Sequence, residues 1–136
     1  MAERKTADEL LAAILARDSH YTRDAYVFVS ESLTYTVQKA GRKGHVSGRE
    51  LCTGLCEYAL QQFGRLARTV LESWGVRTCE DIGEIVFNMV DAGLLRKTEE
   101  DSRRDFAGVL DLREALDRGF ELHVKPGGED ESGAKP

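Results

Sequence analysis

Apolar residues recur along this chain at helical spacing almost from its start. Thr6 and Glu9 form a capping box ahead of Leu11, Ile14 and Leu15, which predicts a first helix to about Ala16. Ser19, His20 and Tyr21 read as a connection. Two signals compete in the next segment. Val27, Phe28, Val29 and residues 33–37 are rich in strand formers. Yet Tyr26, Val29, Leu33, Val37 and Ala40 recur at three and four, with no turn signal between them. The spacing predicts one helix from Arg23 to Ala40, ended by Gly41. Residues 41–45 make a flexible basic loop. Ser47 and Glu50 form a second capping box, and a helix follows to about Phe63. Gly64 separates it from a helix over 65–74, which Gly75 stops.

Thr78 caps the next helix, with Asp81 at its third position and Gly93 closing it. Ile82, Ile85, Val86, Met89 and Val90 form a core-facing stripe. Asp81, Glu84, Asn88 and Asp91 lie opposite, so the expected exposed stripe is acidic. Leu94 and Leu95 start a hairpin with a polar tip over 99–102, and residues 106–110 return. Asp111 and Glu114 cap a short helix to Gly119. Phe120, Leu122 and Val124 then alternate with polar residues, as a half-buried strand does. The expected fold is mainly α with a small antiparallel β-sheet near the C-terminus: a helical bundle, winged-helix-like in its order of elements. One globular domain is expected over 1–124, followed by a disordered Gly, Pro and charged tail over 125–136.

The stretch GLLRKTEEDSRRDFAGVLDL resembles the wing of MarR-type winged-helix repressors, which place an acidic turn and paired arginines after a Gly-Leu-Leu. That likeness covers about twenty residues. It departs from the pattern upstream, where the helix that would enter a DNA groove carries acid and no Lys or Arg. A longer resemblance joins HVSGREL, EYALQQFG, VLESWGV, DIGEIVFNMVDAGLL and KTEEDSRRDF, from His45 to Phe106. These blocks are similar to a family of small uncharacterised bacterial proteins. The resemblance implies a bacterial cytoplasmic protein with one compact domain and carries no activity.

Charge alters the functional picture more than length does. The 136 residues carry a formal net charge of −5, which disfavours general binding to nucleic acid. An acidic helix would repel the phosphates whose neutralisation supplies much of DNA affinity. No apolar run reaches the roughly 20 residues of a membrane span. Residues 1–19 lack the continuous apolar core of a secretory signal. Cytoplasmic location, with three reduced cysteines, is the expectation.

Candidate chemistry is sparse. Cys52 and Cys56, one turn apart, could hold zinc with Cys79 and His45, but the spacing is not that of a zinc knuckle, and buried thiols suit a core. No metal or other cofactor is expected. No nucleophile elbow, P-loop or GxGxxG occurs, and His20, His45 and His123 are scattered. Trp74 reads as a core anchor whose exposure would instead mark an interface. The expected function is a non-catalytic protein-interaction or regulatory module. Its contact surface would be Asp81, Glu84, Asn88 and Asp91 with Arg96, Lys97, Arg103 and Arg104 of the hairpin, facing a basic partner protein. A nucleic-acid binder acting through Arg42, Lys43, Arg49, Arg65 and Arg68 is the first alternative, and a small metal-dependent enzyme the second.

Overall fold

A computed structural model describes residues 6–41, 46–95 and 106–124, with 120–124 by backbone alone. The elements are α1 (Ala7–Arg17), α2 (Arg23–Ala40), α3 (Gly48–Phe63), a 3-10 turn (Gly64–Leu66), α4 (Ala67–Ser73), α5 (Cys79–Ala92) and α6 (Leu112–Val124). Capping sets most of the starts. Thr6, Ser47 and Thr78 each accept from the backbone N–H three residues on, and Glu9, Glu50 and Asp81 reach back to complete capping boxes. The strand formers of α2 are overridden by tertiary burial. Ala25, Tyr26, Phe28, Val29, Ser32 and Thr36 are all buried, and only helical periodicity puts those six on adjoining faces.

Helices α2 and α3 form the main pair. Helices α1 and α5 lie against α2, α4 and α6 lie against α3, and α5 also reaches α3. The core runs through all of them, with Ile14, Leu55, Leu71, Ile82, Ile85 and Met89 fully buried. On α5 the burial extends well beyond one stripe. Cys79, Gly83 and Phe87 are buried along with Ile82, Ile85, Val86 and Met89. Phe106 covers this additional side, its ring 6.2 Å from that of Phe87.

The C-terminal sheet expected from the alternation of Phe120, Leu122 and Val124 is not formed. Residues 120–124 continue α6, and no strand occurs among the described residues. Five alternating residues fit either period, but Leu112 and Leu116, both buried, begin an i, i+4 series that Phe120 and Val124 extend. Gly119 is not a stop. An added Cβ there would stand 2.5 Å from Leu60 Cδ1, so this glycine lets α6 approach α3. Leu94 and Leu95 form a bend after Gly93, and Phe106 opens a turn; neither is a strand. The winged-helix-like reading falls with the sheet. The rest of the expected hairpin, the basic loop residues 42–45 and the tail over 125–136 lie outside the described residues.

A second close approach fixes the α2–α3 pair. Gly54 of α3 faces Thr36 of α2, and an added Cβ would lie 2.0 Å from Thr36 Oγ1 and 3.0 Å from its Cβ. The Thr36 hydroxyl is bonded back to the Ser32 carbonyl at 2.7 Å, which limits its freedom to turn away. Gly→Ala in an open helix raises stability by up to about 1 kcal/mol. Gly54→Ala should instead destabilise by about 1–3 kcal/mol through overpacking, with part recovered in the Gly54→Ala/Thr36→Ala double variant. Denaturant unfolding of the three variants measures this; a stabilised Gly54→Ala would contradict the packing.

Candidate functional site

The polar side of α5 is bonded largely to its own protein. Tyr21 sits in the connection between α1 and α2, only 1% exposed. That connection is held in place from behind. Thr22 N–H donates to the Trp74 carbonyl at 3.2 Å. Gly75 adopts φ +98°, a region that favours glycine, and a Cβ there would lie 2.7 Å from the His20 carbonyl oxygen. From this position the Tyr21 hydroxyl meets Asp81 Oδ1 at 2.7 Å and also Glu84 Oε1. The backbone N–H groups of Arg77 and Thr78 donate to Asp81 Oδ2 at 2.8 and 3.1 Å. One turn on from Glu84, Asn88 Nδ2 donates to Tyr26 Oη at 3.1 Å. Glu80 accepts from the Gly108 N–H at 3.3 Å. Of the expected acidic contact stripe, Asp81 and Asn88 are therefore half-buried structural groups, and Glu84 and Asp91 are exposed.

Electrostatics follow from this arrangement. Burial pushes the Tyr21 hydroxyl well above the usual tyrosine range, and the carboxylates of Glu84 and Asp81 push it further. Burial also raises Tyr26, opposed by the Asn88 bond. For Asp81, burial acts upward, but the bonds from Tyr21, Arg77 and Thr78 outweigh it and hold the carboxyl below its ordinary value. Among these residues the phenol acts as a proton donor to carboxylates and is a poor nucleophile.

The three cysteines are buried free thiols. Cys52 and Cys56 share a face of α3 as their spacing predicts. The Cys79 Sγ lies 3.6 Å from the Leu110 carbonyl. Hydrogen bonding to Cys79 and burial push Cys52 up, and burial pushes Cys56 up to about 12. The bond with Cys52 instead holds Cys79 below its ordinary value, against its own burial. Cys52 and Cys56, kept protonated among core residues, pack as core and are weak ligands. Among the described residues no three His, Cys, Asp or Glu side chains converge as metal ligands; His45 lies outside them.

Among the described residues, Arg49 stands apart from Arg65 and Arg68. Arg49 stands in the first turn of α3, whereas Arg65 and Arg68 follow its last turn. The 16 residues of α3 put about 24 Å between those ends. Arg68 bridges Glu72 at 3.1 Å and Asp117 at 2.9 Å, and Arg113 joins Glu72 at 3.2 Å. That network ties α4 to α6. Arg42, Lys43, Arg96, Lys97, Arg103 and Arg104 lie outside the described residues.

One candidate contact surface among the described residues is the outer face of α2, and it was not singled out from sequence; a hollow of about 350 Å³ between α2 and α3, lined by Thr36, Lys39, Arg49 and Glu57, is another. Val27 is 39% exposed, one of two exposed large apolar residues among those described; the other is Leu66 on the 3-10 turn. A hollow of about 220 Å³ opens on one side of Val27, with Ala7, Leu11, Tyr26, Met89 and Leu94 in its wall. A second, of about 190 Å³, opens on the other, walled by Phe28, Phe63 and Trp74. These three rings pack with centroids 5.5 to 5.8 Å apart. Trp74 is thus both core anchor and half-exposed surface. The signal for this face lay in α2 itself. Val27 sits three residues after Asp24 and four before Glu31, an apolar residue on an otherwise polar and charged outer face.

Compared with known proteins, the chain matches no protein-family model, no curated protein and no solved structure. Among the described residues no helix is long and apolar enough to cross a membrane.

The bonds to Asp81 make stability pH-dependent. Its folded value is depressed, so its ionised form contributes stability fully above its ordinary value of 3.8 and loses it as pH falls through the lower folded value. Asp81→Asn should destabilise at pH 7 by about 1.5–3 kcal/mol, the range for hydrogen bonds to a charged group. The gap to wild type should narrow as pH falls below about 3.8 and vanish only below the lower folded value. Urea unfolding across pH 2–7 checks this; a gap that does not change with pH would contradict it.

Proposed function

We propose that the chain is a non-catalytic protein-interaction module that receives a partner on the outer face of α2. One observation carries the reading: exposed Val27 stands between a mainly apolar hollow and a second one in which three aromatic rings alternate with Asp24, Glu31 and Gln62. Recognition sites combine apolar concavity with a charged rim, and buried apolar anchors supply most of the binding energy. Here the rim carries Asp8, Asp24 and Glu31 against one guanidinium, Arg23, which pairs with Asp8 at 3.0 Å. That balance favours a basic partner protein, as does the net charge of −5.

The chemistry of the other clusters supports the same reading. Asp81 and Glu84 hold Tyr21, Asp81 also caps α5, Glu80 accepts from Gly108, the thiols are buried, and Arg68 joins two helices, whereas Asp91 stays exposed on α5.

The test uses Val27→Glu, with Leu66→Glu as the matched apolar-to-acid change on the other exposed site. Both variants should keep the wild-type circular dichroism and melting curve. Quantitative mass spectrometry of proteins co-purified with the full chain should show a main partner whose recovery falls at least tenfold with Val27→Glu and is unchanged with Leu66→Glu. Recovery insensitive to Val27→Glu would overturn the reading.

A further inference from the structure

The thiols of Cys52 on α3 and Cys79 on α5 are hydrogen-bonded to one another where the two helices pack together. Both are free and buried. Two thiols in contact on different helices can be joined by a covalent bond, a chemistry that burial as simple core packing does not use. We propose that Cys52 and Cys79 form a dithiol that a hydroperoxide closes to a disulfide, beneath a cover made by residues 106–110.

Position gives the two sulfurs different roles. Cys79 is the first residue of α5, directly after the Thr78 cap. There the helix dipole and the amides of the first turn favour a thiolate. Donation from Cys52 favours it as well and holds Cys79 low despite its burial. Cys52 lies within α3, fully buried, and its bond to Cys79 and its burial both push it up. Cys79 is therefore the attacking sulfur and Cys52 the resolving one. In the first step Cys79 gives its proton to solvent and its sulfur attacks a peroxide oxygen. The S–O bond forms as the O–O bond breaks, and the departing oxide takes up a proton, which leaves Cys79 as the sulfenic acid. The Cys52 sulfur then attacks the Cys79 sulfur. The S–S bond forms as the S–O bond breaks, and the hydroxide leaves as water with the Cys52 proton. In sum, two thiols lose two electrons and two protons, and the hydroperoxide is reduced to its alcohol and water.

Helix geometry excludes the other pairing on α3. Residues at i and i+4 hold their β-carbons about 5–6 Å apart, beyond the roughly 3.5–4.5 Å of a disulfide. Cys52 and Cys56 therefore cannot join while α3 is intact. Access runs through the turn before α6, which three contacts fasten to the start of α5. The Cys79 Sγ lies 3.6 Å from the Leu110 carbonyl, and the Gly108 N–H donates to Glu80 at 3.3 Å. Phe106 seats against Gly83, where an added Cβ would lie 2.8 Å from its ring. Ala107 and Gly108 are themselves exposed, so local opening of this turn admits a small peroxide without unfolding the helices.

The experiment treats the folded, reduced full chain with hydrogen peroxide and maps its peptides without reductant, with circular dichroism recorded alongside. The expected product is a Cys52–Cys79 cross-linked peptide, with two of the three thiols lost and both restored by dithiothreitol. Cys52→Ala and Cys79→Ala should each abolish the cross-link, and Cys56→Ala should leave its rate within twofold. Cys52→Ala should also strand Cys79 as a sulfenic acid that dimedone traps. The cover is tested by Gly108→Ala. Gly108 has φ +65° and no heavy atom within 4 Å of an added Cβ, so alanine strains the turn without entering the core. Cross-linking should then quicken at least threefold. Thiols that react only once circular dichroism shows unfolding would overturn the proposal, as would a cross-link through Cys56 or oxidation of Cys79 to sulfinic acid in the wild-type chain with no disulfide formed. A rate unchanged in Gly108→Ala would overturn the part assigned to the turn.

Discussion

Helix α5 has apolar neighbours around most of its circumference, and the fold is arranged to accommodate that burial. Such a helix still has a polar side, and a buried or half-buried polar group needs a partner. Tyr21 and Tyr26 supply partners from the start of α2 and the connection before it, and the Gly108 N–H supplies one from the turn ahead of α6. The tyrosines do two jobs at once. Their rings add apolar area to the core, and their oxygens meet the carboxylates and amide of α5. Position follows from this constraint. Tyr21 reaches Asp81 only because the connection from α1 to α2 is held against Gly75 and Trp74, which also sets where the aromatic hollow beside α2 opens.

Much of the helical framework is legible in the sequence because its signals are local. A hydroxyl residue followed three positions later by an acid starts a helix wherever it occurs, and Thr6, Ser47 and Thr78 do so here. The misread parts depend on distant neighbours. Gly119 resembles a terminator until Leu60 is seen against it. Residues 120–124 read as a strand in isolation and as the last turns of α6 once Leu112 and Leu116 are included. Asp81 and Asn88 look like a solvent-facing stripe because nothing near them in sequence indicates that Tyr21 and Tyr26, about sixty positions away, will cover them.

The same logic separates fold from surface. A charged residue on a helix face is as often a tether as a contact, and its partner distinguishes the two. Asp81, Asn88, Arg68 and Asp117 have partners within the fold. Val27 has no such accounting, because an exposed apolar side chain between two hollows contributes little to folding. Its place between Asp24 and Glu31 was visible from the start, but its meaning required the walls supplied by α1, α3, α4 and α5.

The claim on which this account rests is that α5 is the buried hub of the fold rather than a helix presented to a partner. Native-state hydrogen exchange of the full chain, followed as a function of denaturant, tests it most directly. The account predicts that the amides of Ile85, Val86 and Met89 exchange only through global unfolding, with the highest protection in the molecule. Exchange of those amides by local opening, at protection well below that of α2 and α3, would contradict it.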